Sequence, residues 1–266
     1  MGRLVYPVFS RRSGGLSIGI NLNPDRKCSF GCVYCQVDRN LPTPKVALSV
    51  DRIEKELEDW LHLLARNGWT YENRPLKDIS IAGDGEPTCV AELPQVLKLV
   101  AELKARYECD SYKLVLFTNG SKMDRSDLVE PLARFYGQGG EIWFKLDFWD
   151  RASLRSINRT RLSDKRLIDN LIVAGRRYPL VIQSCLFRWE REKCDPRKYQ
   201  PYVDQLRRIL AEGTQIKLLQ LYTLARTPED RTARSWTNEE MDRLGSFIGS
   251  QIGIETRVYY GSMAQR

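Results

Sequence analysis

The 266-residue chain holds one histidine, His62. Histidine is the side chain best placed to exchange protons near neutrality. Its scarcity speaks against chemistry built on proton transfer. His62 also lies about 180° from Ile53 on a helical wheel, so it is expected to face solvent. No run approaches the ~20 apolar residues of a membrane span. The opening MGRLVYPVFSRRSGG lacks the apolar core of a signal peptide. A soluble, cytoplasmic protein with no membrane partner is expected. Short repeats, low-complexity tracts and evident linkers are absent too. A single domain over 1–266 is therefore expected, with its core at about 14–250, a short N-terminal arm and a C-terminal extension.

The seven cysteines are odd in number and clustered, which does not suit a secreted disulfide framework. The net charge of +8 favours a polyanionic partner such as nucleic acid, but equally describes an ordinary basic enzyme.

What is present is an alternation of short apolar runs with amphipathic stretches. Strands are expected at LSIGINL (16–22), ISIA (79–82), KLVLF (113–117), IWFKL (142–146), LVIQSCL (180–186) and IKLLQLY (216–222). In 51–66, Ile53, Leu57, Trp60, Leu61 and Leu64 follow helical spacing, with Ser49 as N-cap. Thr237 and Glu240 form a capping-box pattern opening a last helix. Nearly continuous apolar strands joined by helices imply an α/β fold with a parallel sheet. Six units are too few for a closed eight-stranded barrel, so a partial (β/α)6, open TIM-like barrel is expected. Its chemistry belongs at the C-terminal ends of the strands. There the sequence reads NPDRKC, GDGEPT, TNGS, DFWD, FRWERE and TLAR.

Three cysteines, Cys28, Cys32 and Cys35, fall within eight residues as C-x3-C-x2-C, with no fourth Cys or His nearby. Zinc sites usually take four ligands and iron–sulfur cubanes prefer four thiolates. Three thiolates leave one iron of a cubane open to another ligand. The remaining cysteines are scattered. Cys185 and Cys194 are candidates for part of a second cluster, though core or incidental thiols explain them better.

This spacing, directly after a first strand, resembles the radical S-adenosylmethionine (SAM) superfamily. SRRSGGLSIGINLNPDRKCSFGCVYCQ, GDGEPT, LFTNGS, WFKLD, INRT and QLYTLAR resemble its branch of wyosine-type tRNA-modifying radical enzymes. The resemblance implies that Cys28, Cys32 and Cys35 ligate a [4Fe-4S] cluster whose open iron binds SAM. It places Gly83, Asp84, Gly85 and Glu86 along the methionyl end of SAM, beside Tyr34 at the cluster. Thr118 and Asn119 would meet SAM carboxylate or ribose. Lys145 and Asp147 share one side of their strand by period-two alternation, pointing inward for a carboxylate and ribose hydroxyls, or forming a structural ion pair. Gln183 joins the cofactor candidates. Arg12, Asn158, Tyr222 and Arg226 are weaker candidates for substrate, Arg12 near the mouth and Asn158 equally suited to capping a helix.

The resemblance also implies an electron donor such as flavodoxin or ferredoxin, and tRNA or another nucleic acid as substrate. The basic stretch Arg151, Arg155, Arg159, Arg161, Lys165 and Arg166 suits phosphates or a solvated face. That branch carries further cysteines for an auxiliary cluster upstream of the motif. None precedes Cys28 here, which speaks against the wyosine reaction itself. A small metabolite, a peptide or a partner protein is the alternative substrate. A non-catalytic iron–sulfur module for electron transfer or nucleic-acid binding is the alternative function.

Overall fold

The computed structural model describes residues 3–42 and 46–261, so the outermost ends of the expected 1–266 domain lie outside the described residues. The chain divides into two compact units. One runs to Ser29 and resumes over Leu41–Ile142; the other holds Phe30–Asn40 and the chain from Trp143. The division falls inside the cysteine motif, with Cys28 in the first unit and Cys32 and Cys35 in the second.

The first unit opens on an antiparallel hairpin of β1 (Val5–Ser10) and β2 (Gly15–Ile20). Gly14 supplies the positive φ of +73° that its turn requires. All six residues of β2 are buried, as an interior strand demands. The chain continues through α1 (Val50–Arg66), β3 (Thr70–Tyr71), β4 (Arg74–Ile81), α2 (Leu93–Tyr107), β5 (Lys113–Thr118) and α3 (Val129–Gly137). β2 pairs in parallel with β4, and β4 with β5. Helix α1 forms as its periodicity requires. Ser49 accepts from the Arg52 amide, and Ile53, Leu57, Leu61 and Leu64 are fully buried. Each such side chain contributes roughly 1.5–3 kcal/mol of burial. His62 is exposed, as expected.

Strand β1 lies outside the expected set. Its sequence VYPVFS contains a proline, which only an edge strand tolerates, and Val8 and Phe9 remain exposed. The arm is fastened from α1, where the Glu56 carboxylate accepts from the Leu4 and Val5 amides at 2.9 Å each.

The second unit receives β6 (Gly140–Lys145) from Trp143 onward. It then runs through a single turn α4 (Arg151–Ser153), α5 (Asp164–Arg177), β7 (Leu180–Cys185), β8 (Arg188–Trp189), α6 (Gln200–Ala211), β9 (Ile216–Tyr222), β10 (Ala233–Arg234), α7 (Asn238–Ile252) and β11 (Thr256–Tyr259). β6, β7, β9 and β11 are parallel neighbours in that order, and β8 and β10 form a separate antiparallel ribbon. The capping box of Thr237 and Glu240 opens α7, with both reciprocal bonds made. All six expected strands exist, and the expected α/β class with parallel strands is borne out. Among the described residues no helix is long and apolar enough to cross a membrane.

Candidate functional site

In the first unit, three loops leave the C-terminal ends of β2, β4 and β5. The β2 loop leads through Asn21 and Asn23 to Cys28. Asn21 accepts from the amides of Asn23 at 2.9 Å and Asp84 at 3.2 Å, and donates to Asp84 Oδ2 at 2.8 Å. A methyl group on Gly83 would stand 2.2 Å from the Asn21 side chain. One on Gly85 would stand 2.0 Å from the Lys27 carbonyl oxygen. Glycine is needed at both positions so that the GDGEPT loop can lie against the segment entering the cysteine motif.

Glu86 is buried and caps the turn Pro87–Cys89. Its carboxylate accepts from the Thr88 amide (3.0 Å), Thr88 Oγ1 (2.6 Å), Thr118 Oγ1 (2.5 Å) and the Asn119 amide (2.7 Å). Burial nevertheless pushes its pKa up. Glu86 and Thr118 are thereby engaged with each other and with the backbone that carries Asn119. The Asn119 side chain donates to Ser29 Oγ at 3.0 Å and to Cys28 Sγ at 3.9 Å, and accepts from the Ser121 amide at 3.0 Å. A chain of contacts thus runs from Glu86 through Asn119 to Cys28.

In the second unit, backbone bonds fasten the cysteine loop to INRT. The Gly31 amide donates to the Asn158 carbonyl and the Val33 amide to the Ile157 carbonyl, both at 2.9 Å. Residues Leu154–Asn158 form a single π turn, a distortion frequent at functional sites. Asn158 is fully buried. Its amide nitrogen stands 3.3 Å from Cys32 Sγ and 3.4 Å from Asp147 Oδ2, while its Oδ1 is buried without a partner. The helix-capping role considered for Asn158 falls instead to Ser163, which accepts from the Arg166 amide at the start of α5.

Asp147 also accepts from the Tyr34 hydroxyl, and from the Cys185 amide at 2.7 Å. Lys145 Nζ lies 4.9 Å from the Tyr34 ring centroid. Burial alone would lower the Lys145 pKa, but the acidic groups around it, Tyr222, Asp147, Cys32 and Cys185, outweigh that and raise it. Burial pushes up both the Cys32 thiol and, further, the Tyr34 hydroxyl, beside Asp147. Lys145, Gln183 and Gln220 are register partners across β6, β7 and β9, and the two buried glutamines are joined at 2.6 Å. Sequence reasoning overlooked Gln220, although alternation along IKLLQLY places it on the same face as Tyr222. It also overlooked Asn21, Ser29 and Ser121, polar loop residues without a periodic signal.

Arg39 Nη2 stands 3.8 Å from Cys35 Sγ. Tyr222 pairs in register with Cys185, and the exposed Arg226 accepts through its carbonyl from Gln36 Nε2 at 3.3 Å. Arg12 is not at the mouth. It sits in the β1–β2 turn over the Phe117 ring, at the N-terminal end of β2, whereas the cysteine segment follows the C-terminal end. Six residues of strand separate those ends by about 20 Å. The basic residues at 151, 155, 159, 161, 165 and 166 are all exposed, and Arg159 and Lys165 are paired with Asp230 and Asp169. Cys185 is buried in an apolar cluster with Val33, Tyr34 and Phe187. A cavity of about 40 Å³ beside Asp147, Trp149, Phe187 and Tyr199 has room for small groups, not for SAM.

Among the described residues, no group of three His, Cys, Asp or Glu side chains is gathered closely enough to hold one metal ion. A cubane's thiolates bind separate irons, so its fit is judged by donor chemistry. Cys28, Cys32 and Cys35 each have a side-chain N–H donor: Asn119, Asn158 and Arg39 respectively. Donors directed at sulfur suit thiolates that carry charge into a cluster. Within each unit by itself, the donor chemistry around the cysteines fits thiolates of such a group.

No family model matches the chain. It is 30% identical over 172 residues to a UPF0026 protein of Methanocaldococcus jannaschii, covering 64% of this chain and 47% of that protein. A 134-residue match, 33% identical, covers 49% of this chain and only 17% of a GTPase Obg of Brachyspira hyodysenteriae. The chain therefore spans about half of the first relative and a small part of the second. Among solved structures, the crystal structure of archaeal TYW1 matches 94% of this chain and 84% of its own, with a TM-score of 0.50 at 12% identity. That likeness concerns the fold alone. It bears out the expected α/β fold class.

Proposed function

We propose that the chain is a radical SAM enzyme in which Cys28, Cys32 and Cys35 hold a [4Fe-4S] cluster. When bound and reduced, that cluster supplies one electron for cleavage of SAM to methionine and a 5′-deoxyadenosyl radical, which takes a hydrogen atom from the substrate. The observation that carries this reading is the seating of the GDGEPT loop against the chain entering Cys28, with Glu86 holding Asn119 beside that sulfur. A glycine-rich loop locked to a cysteine loop is the arrangement a cofactor shared between them requires.

The residues of the chain then have defined tasks. Gly83 lies at the exposed edge of its loop with Asp84 half-buried beside it, where backbone groups and a carboxylate would meet the ammonium of SAM. Lys145 supplies an ammonium group for a carboxylate. Asp147 holds the hydroxyl of Tyr34, fixing the aromatic ring next to the third cysteine. The single, exposed histidine agrees with hydrogen-atom rather than proton transfer.

For the substrate we propose a nucleic-acid base, with tRNA first, and flavodoxin or ferredoxin as electron donor. The sequence resemblance, the net charge of +8 and the exposed arginines of 151–166 support this. The test is anaerobic reconstitution with iron and sulfide, then SAM and a strong reductant. 5′-Deoxyadenosine and methionine are expected by mass spectrometry from the native chain and from none of its Cys32→Ala variant. Equal yields from both would overturn the assignment.

A further inference from the structure

In the second unit, two of the three motif sulfurs are met by side-chain N–H groups from different places in the chain. Asn158 arrives from the π turn after β6, and Arg39 from the end of the cysteine loop. Arg39 is exposed, and its Nη2 stands 3.8 Å from Cys35 Sγ. Asn158 is fully buried, and keeps an unpartnered Oδ1 in order to direct its nitrogen at Cys32 and Asp147. A buried amide with an orphaned oxygen carries a desolvation cost of about 1–3 kcal/mol, which an ordinary core residue in its place would avoid. In the first unit Asn119 stands toward Cys28 in the same way, at 3.9 Å.

We infer that Asn158 and Arg39, with Asn119, are positioning residues that set the reduction potential of the cluster. The inference rests on the radical SAM reading. Its physics is simple: an N–H directed at a cysteine sulfur stabilises added negative charge, and so favours the reduced cluster. Arg39 adds a full positive charge to its donor. Removing either donor should make the potential more negative. Asn158→Asp should move it further than Asn158→Ala, because it replaces the N–H by a carboxylate oxygen. Asp147 contributes in the opposite sense and is partly offset by the Asn158 and Tyr34 donors that engage it.

The test is an EPR-monitored redox titration of the reconstituted full chain without SAM, comparing it with Asn158→Ala, Asn158→Asp, Arg39→Leu and Arg39→Lys. Loss of one donor is expected to reduce the reduced-to-oxidised ratio at a fixed poise by up to about tenfold, or 59 mV for one electron. Arg39→Lys, which keeps the charge, should shift less than Arg39→Leu. A native chain that forms a [4Fe-4S] cluster, with variants whose potentials do not move, overturns this inference and leaves the radical SAM reading standing. A native chain that forms no such cluster overturns both. Should the buried Asn158 variants fail to fold, the exposed Arg39 pair decides the matter alone.

Discussion

Glu86 and Asn119, 33 residues apart in the chain, are joined at 2.7 Å by the Asn119 amide donating to the buried Glu86 carboxylate. That bond couples the glycine-rich loop after β4 to the loop after β5. Three further donors, two from Thr88 and one from Thr118, complete the carboxylate's shell. Glu86→Ala would leave them without an acceptor. Bonds to a charged group are each worth about 1.5–3 kcal/mol. Relaxation recovers part of the sum, so a loss of about 3 kcal/mol is expected in urea unfolding. The same variant should lose SAM binding, because Asn119 is no longer held beside Cys28. An unchanged unfolding midpoint would refute the structural role.

Gly85→Ala tests the seating of the two loops. A β-carbon there would meet the Lys27 carbonyl at 2.0 Å, and backbone has little room to yield. Loss of cluster assembly on reconstitution is expected. Gly137→Ala is the control. It ends α3 with nothing within 4 Å of the added carbon, and helix propensity predicts a gain of up to ~1 kcal/mol. Equal iron content in both variants would remove the argument that Gly85 is there for close approach.

The sequence made the architecture legible where periodicity reports burial directly. The six apolar runs became strands, and the 51–66 stripe became α1 with Ile53, Leu57, Leu61 and Leu64 inside. Edge strands escaped notice. β1 carries a proline and an exposed face, and β11 is four residues long, so neither stands out from a loop. For the candidate site, the cysteines and GDGEPT were visible as spacing, but the partners of Glu86 and Asn158 were not. Which hydrogen bonds a buried side chain makes depends on contacts 33 or 126 residues away. Arg12 illustrates the converse error. Proximity in sequence to the first strand says nothing about which end of that strand a residue occupies.

Acid should loosen the N-terminal arm before the core. Burial would raise the Glu56 pKa, but the Val5 amide, Arg52 and the Leu4 amide outweigh it and hold it below its ordinary value of 4.5. A carboxyl whose folded pKa is depressed contributes stability above the unfolded value and loses it as pH falls through the folded one. Amide exchange at Leu4 and Val5 should therefore be protected at neutral pH and accelerate selectively below about 4.5. In Glu56→Gln that pH dependence should vanish. Protection that is unaltered down through the acid range would show that the arm is held by β2 alone.

The Tyr34 hydroxyl and ring are separable by mutation. Tyr34→Phe retains the ring beneath Lys145 and deletes the hydroxyl's contact with Cys32 and its bond to Asp147, the latter a charge-assisted contact worth about 1.5–3 kcal/mol. Tyr34→Leu removes in addition a cation–π contact, which in a desolvated setting contributes roughly 2 kcal/mol. A double-mutant cycle of Tyr34→Phe with Asp147→Asn in urea unfolding isolates the hydroxyl–carboxylate coupling, expected at 0.5–3 kcal/mol because the two groups touch. Additive costs would mean that Asp147 is held by the Cys185 amide and Asn158 without help from Tyr34. The ring itself is judged by SAM binding to the reconstituted chain. Phe in place of Tyr34 should preserve most of it and Leu should not, since only Leu removes the aromatic surface between Lys145 and the cysteine loop.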